Sequence, residues 1–142
     1  MNAIEFLIKE HNKVRGMLAD IADGSHHFET KRKRFEALSQ DLIRHEMMEH
    51  EVWYPHFKKD LPDTLRHLLK EEKIAENEIK KIDGLKTEGT WDEHFMKFKR
   101  GVEHHASEEE HDLFPEVEKL LSEKELLQIG ADMLEYKRKY SA

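Results

Sequence analysis

His45-Glu46-Met47-Met48-Glu49-His50-Glu51-Val52-Trp53-Tyr54-Pro55 has a second copy sixty residues on, His105-Ala106-Ser107-Glu108-Glu109-Glu110-His111-Asp112-Leu113-Phe114-Pro115. In each copy a His leads a Glu by four residues and a Pro follows that Glu by six. Residues four apart on a helix share one face, so each copy presents an imidazole and a carboxylate to the same point. That donor pair suits a borderline or hard divalent cation, iron above all.

Working outward, each copy lies within a long helical pattern. Phe35, Leu38 and Leu42 lead into His45, Glu49 and Val52, which predicts a helix from about Thr30 to about Lys59. Trp91, Phe95, Phe98 and Val102 lead into His105, Glu109 and Leu113, in a helix from Thr90 to about Leu121. Thr90 to Glu93 has the spacing of a capping box at its start. Upstream, Ile4, Leu7, Ile8, Val14, Leu18 and Ile21 form the stripe of a helix from Asn2 to about Ala22, ended by Asp23-Gly24. Between the copies, Leu65, Leu68, Leu69, Glu72, Glu76, Ile79 and Ile82 mark a helix from about Asp63 to about Asp83. A second capping box, Ser122 to Glu125, opens a short fifth helix to about Lys139.

The expected fold is all-α: an up-down-up-down four-helix bundle over about residues 2–121, with a short C-terminal fifth helix over about 122–139, in a single domain spanning 1–142. The halves look duplicated. Leu7-Ile8-Lys9-Glu10-His11 parallels Leu68-Leu69-Lys70-Glu71-Glu72. The step from His11 to His45 is 34 residues, and from Glu72 to His105 it is 33.

Composition agrees. Charged residues are 39%, aromatics 8%, and there are only six Gly and three Pro among 142 residues, a helix-rich balance. The absence of cysteine excludes disulfides, thiolate-held zinc, iron–sulfur clusters and Cys nucleophiles. A net charge of −7 argues against nucleic-acid or membrane partners, and the short run Lys31-Arg32-Lys33-Arg34 reads as the solvated start of a helix. Residues 1–18 carry Glu5, Lys9, Glu10 and Arg15, unlike a signal peptide or a membrane span. A cytoplasmic protein, monomeric or homodimeric, is expected.

Each apolar row is interrupted at mid-helix by polar side chains: His11 on the first helix, His45 and Glu49 on the second, Glu72 and Glu76 on the third, His105 and Glu109 on the fourth. In an antiparallel bundle these share one level. An uncompensated buried carboxylate costs several kcal/mol, and the rows hold no Lys or Arg at that level. Two divalent cations would balance the four glutamates.

These residues resemble the hemerythrin-like, or HHE cation-binding, family: the His on the first helix, the two His-x-x-x-Glu pairs and the aromatic-Pro pairs after them, over His11 to about Leu121. The resemblance implies a four-helix bundle holding two Fe ions in an oxo- or hydroxo-bridged non-haem diiron centre, with His11, His45, Glu49, His105 and Glu109 among the ligands. The chain departs from the family on the third helix, where Glu72 stands at a usual His, and Glu76 where respiratory members have another. Added carboxylates favour the ferric state and harder ions, in the manner of Glu-rich ferritin-like centres. The expectation is therefore a centre that binds or reacts with O2, peroxide or NO, for sensing, detoxification or iron handling, more than an oxygen shuttle. Mn or Zn are alternative metals, and a non-catalytic metal-binding or storage module is the alternative role. His50 and His104, one residue from ligand positions, are candidates for supporting roles, and Tyr54 is the aromatic whose hydroxyl can reach the site.

Overall fold

The computed structural model describes residues 1–140. Asn2 and Glu5 exchange hydrogen bonds of 2.9 Å in a capping box that opens α1, Ala3–Ala22. α2, Phe28–Met48, begins two residues before the expected start and runs on through a single wide turn, Glu49–Trp53, into a short tight turn, Tyr54–His56. α3 is Pro62–Asp83, with Pro in its first turn. α4, Glu88–Glu108, passes through a second wide turn, Glu109–Leu113, into α5, Phe114–Leu120. The Ser122–Glu125 capping box forms as expected and opens α6, Glu123–Tyr140.

The Thr90–Glu93 capping box does not form. α4 starts at Glu88, after Thr87, so Thr90 already lies inside the first turn. Lys31 gives the reason. Its ammonium sits 3.1 Å from Glu88 and 2.7 Å from Asp92, one helical turn apart, and Phe28 packs edge-on against Trp91. Lys31 is consequently buried, not the solvated residue its basic run suggested.

Consecutive long helices run antiparallel. α1 packs on α2 and α4, α3 packs on α4, and α6 lies against α1 and the end of α2. This is the expected up-down-up-down bundle with an added helix, and no strand occurs among the described residues. No helix among them is long and apolar enough to cross a membrane.

The hydrophobic core is divided. One cluster gathers Leu7, Met48, Trp53, Phe57, Leu68, Leu113, Phe114 and the α6 residues Leu126, Ile129 and Met133. The other gathers Leu18, Ile21, Phe35, Leu38, Ile79, Ile82, Trp91, Phe95 and Phe98. Along every helix of the bundle, the gap between the two clusters is where the polar interruptions of the apolar rows fall.

Candidate metal centre

His11, His45, Glu49, Glu72 and Glu109 are buried in that gap, with Glu49 at 1% and Glu109 at 0% exposure. His105 is nearly covered. Each imidazole is fixed from behind by a carboxylate on another helix. His11 Nδ1 lies 2.8 Å from Glu110, His45 Nδ1 3.2 Å from Glu10, and His105 Nδ1 3.0 Å from Glu71. A carboxylate accepts, so Nδ1 carries the proton and Nε2 is turned toward the axis.

The inward atoms crowd one another. His105 Nε2 is 2.7 Å from Glu109 Oε1, His45 Nε2 is 3.2 Å from Glu49 Oε1, and His11 Nε2 is 3.8 Å from Glu109 Oε2. Yet neither oxygen of Glu49 or of Glu109 makes a hydrogen bond within the protein. A buried carboxylate without a hydrogen bond is costly to keep, and two of them beside three imidazoles fit a cation.

Glu72 is held differently. Tyr54 donates its hydroxyl to one oxygen at 2.5 Å, and His50 Nε2 lies 2.8 Å from the other. Both expectations for supporting roles near Glu72, Tyr54 and His50, have this contact as their geometry. His104 instead sits 2.8 Å from Glu108, with its side chain largely exposed. Glu76 does not join the group. It lies a turn further along α3, 40% exposed and 3.7 Å from Lys73, and faces Glu46, whose carboxyl burial and the neighbouring Glu72 and Glu76 push up to about 9.

Charge in the layer is strongly coupled. Burial pushes His105 down, but the Glu109 carboxylate beside it, with Glu49 and Glu71, raises it to about 10. Burial also opposes charge on His45, and Glu49 and Glu10 raise it well above its ordinary value. Burial and the facing Glu109 push Glu49 up. Burial would raise Glu109 as well, but His105, His11 and His45 hold it low. Burial and the three carboxylates Glu49, Glu109 and Glu72 raise the Tyr54 phenol.

Two hollows adjoin the layer. A small one of about 40 Å³ is bounded by His11, His45, His105 and Glu109. A larger one of about 300 Å³ has Leu42, Ile79, Phe98 and Val102 for walls and Glu49, Glu72 and His105 at its inner end. Phe114 stacks parallel to His11, closing the far side.

The carboxylates behind the imidazoles were not recognised from sequence. Glu10, Glu71 and Glu110 are each next to an inward residue, so each lies about a quarter turn round its helix, facing a neighbouring helix. Adjacency to His11, Glu72 and Glu109 was the available signal. The buttresses behind them were equally hidden: Arg15 grips both oxygens of Glu110 at 2.9 and 3.0 Å, and Lys137 on α6 holds Glu10 at 2.6 Å.

Compared with known families, residues 2–126 match the hemerythrin HHE cation binding domain. Among solved structures, the fold is similar to the crystal structure of a hemerythrin HHE cation binding domain-containing protein from Mycobacterium kansasii. The TM-score is 0.86 at 23% sequence identity, covering 99% of this chain and 87% of that one. No curated protein matches the sequence.

Proposed function

Since the chain belongs to the hemerythrin HHE cation-binding domain family, we propose that its buried polar layer is a non-haem diiron centre that binds or reacts with O2, peroxide or NO. His11, His45 and His105 would supply nitrogen, and Glu49, Glu109 and Glu72 carboxylate oxygen. The observation that carries the reading is the pair Glu49 and Glu109, fully enclosed and without hydrogen-bond partners.

When bound, iron supplies one-electron chemistry and open coordination positions. The chain's own residues do the rest. Glu10, Glu71 and Glu110 fix the tautomer and tilt of the three imidazoles. Tyr54 steadies Glu72 and holds a proton at its hydroxyl beside the site. The apolar walls of the larger hollow admit a small uncharged molecule and limit water around the inner carboxylates. Glu76, paired at the rim, has no part in this assignment.

Anaerobic iron titration followed by elemental analysis and absorbance tests the proposal. The expected result is about two iron ions per chain and near-ultraviolet absorption of the oxidised protein. Near-zero iron with one zinc per chain would sink it. Rapid irreversible oxidation by O2 selects reactivity, and a stable reversible visible band selects carriage. A single-cation centre is favoured by one observation, that both Glu72 oxygens already accept hydrogen bonds. One metal per chain after iron loading would select it.

A further inference from the structure

Outside the buried layer, α3 and α4 carry two more His-x-x-x-Glu pairs, His67–Glu71 and His104–Glu108. They meet across the seam between the helices. His67 Nε2 lies 3.0 Å from Glu108 Oε2 and 3.5 Å from Glu71 Oε1, and His104 Nε2 lies 2.8 Å from the other Glu108 oxygen. One donor atom each from His67, Glu71 and Glu108 fall within 4.8 Å of one another. A divalent ion with bonds of about 2.0–2.2 Å to nitrogen and oxygen bridges such a span with small side-chain movement.

The setting is that of a port. Both imidazoles are open to solvent, 58% and 65% exposed, while Glu71 and Glu108 are mostly covered. Asp63 and Asp112 line a hollow shared with His67 and Glu108, which adds negative charge at the approach. On the inner side, Glu71 and His104 line the larger cavity whose far end is Glu49, Glu72 and His105. Glu71 also holds His105 Nδ1, so one carboxylate serves both places.

We propose that His67, Glu71 and Glu108 form a second, outer divalent-cation site that captures ions on their way to the buried centre. The site stands on its own residues, while its role as an entry station rests on the metal-centre reading above. One imidazole and two carboxylates, with the remaining positions left to water, suit Mn2+, Fe2+ or Zn2+ in rapid exchange instead of permanent residence. The bland alternative is a set of surface ion pairs, which contribute little and hold no metal.

Mn2+ titration followed by electron paramagnetic resonance separates these, with circular dichroism confirming the fold of each variant. Glu49→Gln/Glu72→Gln/Glu109→Gln, which removes the three inner carboxylates, is expected to keep one weakly held Mn2+ per chain. Adding His67→Ala/Glu108→Gln is expected to abolish it. No Mn2+ on the inner variant would overturn the outer site whatever the buried centre holds, as would an ion that survives the outer substitutions. Should the inner variant not fold, the native chain loaded first with iron replaces it, and the same loss of one exchangeable Mn2+ on His67→Ala/Glu108→Gln is required. For entry, stopped-flow Fe2+ uptake by His67→Ala/Glu108→Gln is expected to slow about tenfold, the low end of what focused charge does to capture rates, with final iron content unchanged. An unchanged rate would overturn the entry role.

Discussion

At the scale of single residues, the chemistry of the layer turns on imidazoles and carboxylates that set one another's charge. Glu49 is pushed up by burial and by Glu109, so its ionised form works against folding above its ordinary range. Glu49→Gln is therefore expected to act with opposite signs: it stabilises the metal-free protein by about 1 kcal/mol or more, and it removes the stabilisation that metal confers. That gain is about 2.7 kcal/mol at a free metal concentration of 100 times Kd. Thermal melts with and without iron check both. pH enters through His105, raised to about 10. A raised imidazole contributes stability fully below about pH 6.5 and loses it as pH climbs through about 10. A cation at Nε2 must displace that proton, so metal affinity should rise with pH across this window, about tenfold per unit for each proton released. Titration in weakly buffered solution reads the released protons directly, and pH-independent affinity would refute the linkage. The inward His and Glu were legible because they interrupt apolar rows. The carboxylates behind them were not, because a Glu on a helix flank looks like any solvated Glu until the neighbouring helix is in place.

Secondary-structure elements add what periodicity does not show. Four helices, their order and their lengths follow from the stripes of Leu, Ile and Phe. The two wide turns do not. In both, the last N–H before the proline reaches back five residues, from Tyr54 to the Glu49 carbonyl and from Phe114 to the Glu109 carbonyl. A proline ring clashes with the carbonyl four residues earlier and offers no N–H, and widening the preceding turn relieves that conflict. The repeated Pro was the clue. The same widening follows each inward Glu with two buried residues in a row, Trp53-Tyr54 and Leu113-Phe114, where strict helical spacing led to Val52. α6 likewise does more than extend the bundle, because Lys137 anchors Glu10, which anchors His45. Lys137→Met is expected to lower metal affinity about tenfold, as loss of such supporting contacts does, while leaving the helical circular dichroism unchanged. Competition with a chelator of known affinity measures it. Unaltered affinity would show that α6 is only a cover.

For the whole molecule, α6 meets the N-terminus of α1 at Gly130, where an added Cβ would lie 2.4 Å from the Met1 carbonyl oxygen and 2.8 Å from the Asn2 carbonyl carbon. Backbone cannot yield as a flexible side chain does, so Gly130→Ala is expected to destabilise the fold by about 1–3 kcal/mol, read by urea denaturation. A neutral result would mean that α6 docks loosely.

The division of the greasy interior into two clusters, with a charged layer between them, bears on how the molecule melts. A domain of this length ordinarily unfolds in one concerted step. Here an ion bridging all four helices would fasten one half to the other. Stripped of metal, the chain should show a broadened heat-capacity peak, with a van't Hoff enthalpy smaller than the calorimetric one. Refilling the layer should restore a single sharp transition, making the cation a rivet between two half-molecules as well as a reagent.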